Sequence, residues 1–395
     1  SSNGLEKRPA LSFRDDCGRE FPSWHRTTLG TIIEPYSEKV HGEHDFEVLT
    51  SSREGLQRQI DHFGSQQRHD TDGYNIIPLG FCTYRNRSDD GRFTFNINKI
   101  SDKAIVSKFY PVFRFKNANS TFMTEYLNSS ARARKKLSVL AVGTSQVVLS
   151  FEALKSAKFD LPCKEEQDKI ASLLECLNER VELQRSFVDA LKKYKRGLHK
   201  LVFIKNRKHS WEKSALHDIA SFCGGGTPSK DISSYWEGEI GWISSSDIQE
   251  EWIDDISVTR RITKTAIDNS ATKLCPEGTI AIVSRVGVGK VAIMPESLCT
   301  SQDFTNITSI TGNTHYMAYQ IAFRMKLEAM KTQGTSIKGV TADTIKAMVL
   351  DIPPLEEQKK IADMLTAFDA YIKRAVCELD LFLAMKKALL QQLFI

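Results

Sequence analysis

The chain has 395 residues, of which 41% are hydrophobic and 26% are charged. This length predicts two or three domains, and this composition is that of a globular protein, which excludes a disordered or fibrous chain. No apolar run approaches the roughly 20 residues that a membrane-spanning helix requires, and the first residues lack the apolar stretch of a secretory signal. We therefore expect a cytoplasmic protein without a membrane partner.

Lys and Arg outnumber Asp and Glu by 54 to 49, and the resulting net charge of +5 is compatible with a nucleic-acid partner without requiring one. The eight cysteines form no CxxC pair and show no zinc-ligand spacing, so we expect reduced thiols and no metal site. The stretch 287–290 (GVGK) lacks the spacing of a phosphate-binding loop. Because no acid–base pair, nucleophile or metal constellation stands out, the chain is not expected to be an enzyme.

Residues 1–160 are predicted to form the first mixed α/β domain, with strands at 93–97 and 109–115. Cationic residues flank a turn-like stretch at 88–91. Arg side chains can pair with guanine edges, and Lys and Arg neutralise phosphates, so these loops are candidates for DNA contact. The residues of this segment that are predicted to contact DNA are Arg85, Asn86, Arg87, Arg92, Arg132, Arg134 and Lys135.

Residues 161–208 are predicted to form a long helix. Glu165 and Glu166 fall in its first turn, where the helix dipole favours anions. Apolar residues then recur in steps of four and three, which indicates a heptad seam. Gln184 interrupts the seam in this copy only, and a lysine interrupts it in both copies, Lys195 here and Lys386 in the second. The last part, 192–208, holds eight Lys or Arg and no acid, and it is predicted to face DNA, a partner subunit or solvent.

Residues 209–352 are predicted to form the second mixed α/β domain, with strands at 239–243, 279–283 and 290–293 and a helix at 316–330. The absence of strict β-α alternation argues against a Rossmann-like sheet. Arg285 and Lys290 occupy positions equivalent to Arg87 and Arg92 of the first domain. The residues of this segment that are predicted to contact DNA are Thr227, Ser229, Tyr235, Trp236, Ser284, Arg285, Lys290 and Gln302.

Residues 353–395 are predicted to form a second long helix that repeats the first at an offset of 191 residues. At the same offset, residues 143–145 before the first helix match residues 334–336 before the second. Segments nearer the start of each domain also match, at offsets of 198 and 187 residues. A single apolar stripe is usually a core face. Because this one is long and duplicated, the prediction is an α+β fold with two mixed α/β domains separated by a long antiparallel two-helix coiled coil, related by a pseudo-two-fold axis. The seam residues predicted to contact partners are Ile170, Leu174, Leu177, Ile361, Leu365 and Phe368.

The duplicated pattern Pro-x-x-Glu-Glu-Gln-x-x-Ile-Ala-x-x-Leu, at 162–174 and 353–365, resembles the conserved regions of the specificity subunit of type I restriction–modification enzymes. Gly-Gly-Thr-Pro-Ser at 225–229, followed by Tyr235, Trp236 and Asp247, is also similar to that family. The first domain lacks these last motifs, which places it in a different recognition subtype.

The resemblance implies two target recognition domains, each reading half of a split, asymmetric site in double-stranded DNA, and helices that set the gap and carry methyltransferase subunits, two in number. It also implies restriction subunits bound through the complex, and no catalysis in this chain. S-adenosylmethionine, ATP and Mg²⁺ would then belong to partner subunits. The alternative from the residues alone is a coiled-coil scaffold with two protein-binding domains.

Overall fold

The computed structural model describes residues 9–63, 70–206, 208–332 and 339–394. The chain divides into two compact units: unit 1 comprises Ser1–Arg185 with Glu378–Ile395, and unit 2 comprises Ser186–Cys377. The division cuts through both long helices, because each unit's core contains the beginning of one long helix and the end of the other. In unit 1, for example, Leu174 and Leu393 belong to one apolar cluster. The matching segment 334–336 of the sequence repeat lies outside the described residues.

Unit 1 contains twelve strands and four helices among its described residues, and the first long helix begins in it. In chain order they are β1 (His25–Thr28), β2 (Ile33–Tyr36), β3 (Glu47–Ser52), β4 (Gly55–Arg58), α1 (Gln59–Phe63), β5 (Asn75–Ile76), β6 (Cys82–Tyr84), β7 (Arg87–Ser88), β8 (Phe95–Ile97), β9 (Ala104–Val106), β10 (Val112–Phe115), α2 (Ser120–Ser129), α3 (Ala131–Leu140), β11 (Val147–Val148), α4 (Phe151–Ser156), β12 (Lys158–Leu161) and the long helix α5 (Lys164–Lys200).

Unit 2 begins within α5, which continues as a π-helical turn at Leu201–Lys205. Its elements are β13 (Glu212–Ala215), α6 (Leu216–Ile219), β14 (Ala220–Gly224), β15 (Ile240–Ile243), β16 (Arg260–Ile262), α7 (Lys264–Asp268), β17 (Leu274–Cys275), β18 (Ile280–Val283), β19 (Val291–Ile293), β20 (Leu298–Thr300), β21 (Phe304–Ile310), α8 (Thr314–Thr332), α9 (Ala342–Lys346), β22 (Val349–Ile352) and the long helix α10 (Leu355–Leu393). The predicted strands and helices are confirmed, with ends shifted by a few residues.

The two units contain sheets of the same strand order. One sheet is β2-β10-β6-β8 in unit 1 and β14-β21-β18-β19 in unit 2, and the other is β4-β3-β9-β5 and β16-β15-β20-β17. In the second sheet β3 pairs parallel with β9, and β15 pairs parallel with β20, while the other pairings are antiparallel. A single parallel pair in each unit agrees with the absence of a Rossmann-like sheet. The common topology shows that the first domain shares the second domain's architecture without its sequence motifs.

Each long helix begins with a glutamine that joins it to its own domain. The Gln167 amide donates to the Pro162 carbonyl at 3.0 Å and accepts from the Asn119 backbone N–H at 2.9 Å. Gln358 makes the same two bonds, to Pro353 and Asn313, each at 2.8 Å. Both glutamines are almost fully buried. Because an amide satisfies two backbone groups at once, this residue type fixes where the helix leaves the domain.

The long helices contact one another in reverse order within each unit. In unit 1, Arg180 lies over the Phe382 ring at 5.1 Å, and the Gln184 amide donates to Glu378 at 3.2 Å. In unit 2 the ring of Phe187 lies 6.2 Å from that of Tyr371. Further along α5, Tyr194 lies 5.5 Å from Phe368. Since residue numbers rise on α5 as they fall on α10, the segments are antiparallel in both units.

The lysines that interrupt the heptad seam are paired with carboxylates. In unit 2, Lys195 Nζ lies 2.6 Å from Asp369 of α10, and the Tyr319 hydroxyl donates to the same carboxylate at 3.0 Å. In unit 1, Lys386 Nζ lies 3.1 Å from Glu125 of α2, which also accepts from the Asn178 amide at 3.1 Å. The charged partner therefore comes from the long helix in unit 2 and from the domain in unit 1.

Candidate nucleic-acid interface

Unit 1 has a cleft whose walls carry four arginines: Arg53, Arg85, Arg87 and Arg92. Arg53 is paired with Asp90 at 2.7 Å. Within the described part of the chain, no carboxylate pairs with the guanidinium groups of the other three, which the structure leaves exposed. Unpaired guanidinium groups around one cleft make a site for anions or for base edges.

A tight loop holds two of these arginines in place. Arg87 lies in β7, which pairs with β11. The Asp90 carboxylate accepts from the Ser88 hydroxyl at 2.9 Å and from the Arg92 backbone N–H at 3.1 Å. These two hydrogen bonds, with Arg53, hold the pKa of Asp90 below its usual range. Gly91, at φ 73°, closes the loop, as the sequence predicted.

The other predicted contacts of unit 1 lie next to this loop in sequence or on helix α3. Asn86 is half-buried, and its carbonyl accepts from the Leu149 backbone N–H at 2.9 Å. Arg132, Arg134 and Lys135 are exposed on α3. A Cβ at Gly91 would lie 2.8 Å from Oγ of Ser138, so α3 packs against the loop.

Phe109 was not predicted, although it lies next to the predicted arginines. Its ring is 51% exposed at the turn between β9 and β10, and the Arg87 guanidinium lies 5.2 Å from the ring centre. Lys108 Nζ lies 5.7 Å from the same ring. In the sequence, Phe109 follows Lys108 and begins the predicted strand 109–115, where an apolar ring is normally withdrawn from water.

In unit 2 the Gly-Gly-Thr-Pro motif forms a close backbone approach. A Cβ at Gly225 would lie 1.9 Å from the Ser301 carbonyl oxygen, and one at Gly226 would lie 2.4 Å from the Ala271 backbone. The Trp242 indole N–H donates to the Gly226 carbonyl at 2.9 Å. Only glycine fits both positions, which explains the two glycines of the motif.

This approach brings several predicted contacts together. The Thr227 hydroxyl donates to the side-chain oxygen of the exposed Gln302. Trp236 packs edge-on against Trp242 at 5.2 Å, and its indole donates to the Ser229 carbonyl at 3.0 Å. The half-buried Tyr235 accepts through its carbonyl from the Thr263 backbone N–H at 3.0 Å.

Two predicted contacts in the β18–β19 hairpin are held internally. Lys290 Nζ donates to the Ser245 carbonyl at 2.8 Å, and Ser284 is buried with its hydroxyl donating to the Asp303 carbonyl at 2.9 Å. Their side chains therefore shape the hairpin in this structure. Arg285 is exposed at the equivalent position to Arg87.

Arg260 and Asp247 form an unpredicted polar link in unit 2. Arg260 donates to Asp247 at 2.8 Å and lies 4.5 Å above the Trp242 ring. Burial raises the pKa of Asp247, but hydrogen bonds from the Ser244 backbone, Thr259, Ser244 and Arg260 outweigh it, so the net shift is downward. The Arg260–Asp247 pair therefore anchors β15 and β16 around the tryptophan.

The predicted partner contacts on the long helices are mostly internal. Ile170, Leu174 and Leu365 are no more than 1% exposed, and Leu177 is 7% exposed. Ile361 and Phe368 are half-buried. Ile170, Leu174 and Leu365 belong to the apolar cores of their units, so these side chains have little surface left for a partner, and partner contact by the helices stays a prediction.

The cation run at 192–208 is partly neutralised within unit 2. Lys192 pairs with Glu251 at 2.8 Å, and Lys208 pairs with Glu357 at 2.6 Å. The Lys208 ammonium holds the pKa of Glu357 below its usual range. Together with the buried Lys195, three cations of this run therefore have internal carboxylate partners. Arg207 lies outside the described residues.

A search of the described residues for metal ligands finds no group of three or more His, Cys, Asp or Glu side chains arranged around a common point. Within the same residues, no helix has the length and apolarity needed to cross a membrane.

Comparison with known proteins identifies relatives over most of the chain. Residues 44–192 and 208–376 each match the family model described as the type I restriction modification DNA specificity domain. The MjaIX specificity subunit of a type I restriction enzyme from Methanocaldococcus jannaschii is 34% identical over 167 residues, which cover 41% of this chain and 39% of the relative. The EcoR124I/EcoR124II specificity subunit from Escherichia coli is 28% identical over 228 residues, covering 54% and 55%. The matched regions thus span about half the length of these curated relatives or less.

Solved structures show the same fold. The S subunit of a type I restriction–modification system from M. genitalium superimposes with a TM-score of 0.61 at 14% identity, covering 98% of this chain and 99% of that one. A chain from a structural study of complex assembly and conformational transition in the type I system gives a TM-score of 0.57 at 15% identity, covering 95% and 99%. With two matches to the family model covering most of its length, the chain belongs to the type I restriction modification DNA specificity domain family.

Proposed function

We propose that this chain is the DNA sequence-specificity subunit of a type I restriction–modification complex and recognises a bipartite, asymmetric site in double-stranded DNA. The observation that carries the proposal is the repetition of one recognition-domain topology with an exposed arginine at the same hairpin position, Arg87 in unit 1 and Arg285 in unit 2. The surroundings of these hairpins differ in sequence, so the two domains would read different half-sites. Arginine is the residue best suited to guanine edges and to phosphates.

We further propose that the long helices form an antiparallel coiled coil related by a pseudo-two-fold axis, which separates the two domains and sets the gap between half-sites. The antiparallel contacts within each unit support this, as does the duplication of Gln167 as Gln358. Helix α5 alone, with 37 residues, is about 56 Å long at 1.5 Å per residue. That length exceeds one turn of DNA, about 34 Å, which is the scale of a split site.

The helices also offer surface for the proposed methyltransferase subunits, two in number. Large apolar side chains remain exposed on them: Leu183 is 68%, Leu381 is 61% and Tyr194 is 63% exposed. Exposed apolar residues grouped on helices are typical of protein interfaces. Restriction subunits would join through this complex in the cytoplasm. Methyl transfer and cleavage, with S-adenosylmethionine, ATP and Mg²⁺, would belong to those partners, and this chain would have no catalytic group.

The test is DNA binding by the complex of this chain with its methyltransferase subunits, measured by electrophoretic mobility shift across a salt series. The proposal predicts binding that prefers one sequence over a scrambled duplex and weakens steeply as salt rises, because phosphate contacts release counterions. A scaffold with two protein-binding domains would instead bind neither duplex, or both equally, and that result would overturn the proposal.

A further inference from the structure

The position of Phe109 beside the arginine cleft points to a specific role in base recognition, which rests on the proposed function. Within the described residues the Arg87 guanidinium has no carboxylate partner, yet it is held 5.2 Å from the centre of an exposed ring. A ring that is half exposed gains little from burial. Its evident contribution is to restrict the arginine, since a guanidinium group stacks favourably on an aromatic face.

The backbone fixes both members of this pair. Phe109 lies in a turn in which the Tyr110 backbone N–H donates to the Ser107 carbonyl at 2.9 Å. The Tyr110 carbonyl in turn accepts from the Asn75 amide at 2.9 Å. Arg87 is held by the β7–β11 pairing. The backbone of Arg87 is fixed and its side chain lies against a ring. It therefore loses less rotational freedom on binding a ligand than an arginine with an unrestricted side chain would lose.

Arg114 of the same unit provides the internal comparison. It also lies over a phenylalanine, at 5.8 Å from the Phe81 ring, but its guanidinium donates to Glu34 at 2.6 Å. The two arginines therefore share the stacked arrangement and differ in whether the guanidinium is already occupied. Of the two, only the Arg87 guanidinium is available to donate to a planar pair of acceptors. The neighbouring Arg85 and Arg92 supply positive charge for phosphates in the same cleft.

We infer that Phe109 is a specificity-determining residue, which holds the Arg87 guanidinium against its ring so that Arg87 pairs with the O6 and N7 atoms of one guanine in the half-site read by unit 1. A guanine is the base whose major-groove edge presents two acceptors at the spacing of the guanidinium nitrogens. Lys108, on the same ring, lies where it can neutralise an adjacent phosphate.

The experiment uses the full chain in complex with its methyltransferase subunits and duplexes carrying the sequence that the complex methylates. Each guanine is replaced singly by 7-deazaguanine, which lacks the N7 acceptor. For the unaltered complex we expect affinity to fall about 5-fold or more at one guanine of one half-site. Arg87→Lys keeps the charge without the planar pair of donors, and should lose the sensitivity to that replacement. Phe109→Leu should reduce the sensitivity without abolishing it.

Two controls separate this role from a structural or purely electrostatic one. The Arg114→Lys complex should respond to 7-deazaguanine as the unaltered complex does. In the Arg87 and Phe109 variants, replacement of any guanine in the other half-site should have the same effect as in the unaltered complex. If Arg87→Lys weakens binding to all duplexes equally, Arg87 contacts phosphate and the inference is wrong. It is also wrong if Phe109→Leu leaves every guanine response unchanged. Failure of the proposed function looks different, because the unaltered complex would then show no sequence preference at all.

Discussion

The ion pair between Lys195 and Asp369 provides a sharp test of how the long helices pack in unit 2. The two side chains are only 14% and 6% exposed, and the Nζ–Oδ1 distance is 2.6 Å. Burial raises the pKa of Asp369 and lowers that of Lys195, so each group depends on the other to remain charged. The Tyr319 hydroxyl donates to the carboxylate, while the ammonium also donates to the Glu251 carbonyl at 2.6 Å and lies 4.9 Å from the Trp252 ring.

The substitution Asp369→Asn removes the charge with almost no change in shape, and leaves the lysine ammonium buried without its counter-ion. Breaking a buried pair on one side costs about 3–5 kcal/mol. The cation–π contact with Trp252 partly compensates, so we expect a loss near the lower figure, about 3 kcal/mol. The matched control is Glu356→Gln, which breaks the exposed pair with Lys359 at 3.0 Å and should change the free energy of unfolding by less than about 0.5 kcal/mol.

Urea unfolding followed by tryptophan fluorescence measures the effect, because four of the five tryptophans lie in unit 2. The double variant Lys195→Met with Asp369→Leu should recover most of the lost stability, since an apolar pair replaces an ionic one without leaving a charge. A loss below about 1 kcal/mol for Asp369→Asn, or a double variant as unstable as the sum of the single ones, would show that the helices are not packed as described.

Three further predictions concern single side chains of unit 2. Burial lowers the pKa of His199 to about 3, well below its unfolded value of 6.5, so the unfolded state binds the proton first and stability falls as the pH drops below 6.5. Between pH 6.5 and 5 this amounts to about 2 kcal/mol, and the pH dependence of the unfolding free energy should be shallower by that amount in His199→Phe. Gln358→Leu leaves two buried backbone groups unpaired, one of them the Asn313 N–H, and should lower the free energy of unfolding by about 2–4 kcal/mol; an unchanged urea midpoint would contradict the assigned hydrogen bonds. Gly225→Ala places a Cβ against the Ser301 carbonyl, so we expect an altered near-ultraviolet circular dichroism spectrum and weaker DNA binding, whereas unchanged spectrum and binding would show that the backbone approach is not needed.

The sequence predicted the two mixed α/β domains and the two long helices because local and repeated sequence patterns encode them. The offset of 191 residues identified the two long helices, and their boundaries follow from proline and glutamate at the start and from the heptad spacing. It also identified Lys195 and Lys386 as interruptions of the seam. It could not reveal their partners, because Asp369 is distant in sequence and Glu125 comes from a different element in the other unit.

The candidate interface was only partly predictable for the same reason. Charge and turn residues located Arg87 and Arg285, but residue type does not show whether a cation is already bound internally, as Lys290 is. Ser284 likewise follows a strand in sequence yet is buried in the structure. Phe109 was missed because the sequence placed it at the start of the predicted strand 109–115, where an aromatic residue is usually a core residue, and only the fold shows that it is exposed.

We propose that two unlike recognition domains read two half-sites whose gap is set by the paired long helices. Methylome sequencing of a host that carries this chain with its methyltransferase subunits tests it directly. It should be compared with a variant that has seven residues added to each helix at the unit boundary, after Arg185 and after Cys377. One heptad adds about 10.5 Å of helix, or about 3 base pairs of DNA. We expect a bipartite methylated motif whose halves stay the same while the gap grows by about 3 base pairs; a continuous motif, or the same gap in a variant that still methylates, would show that the helices do not set the gap.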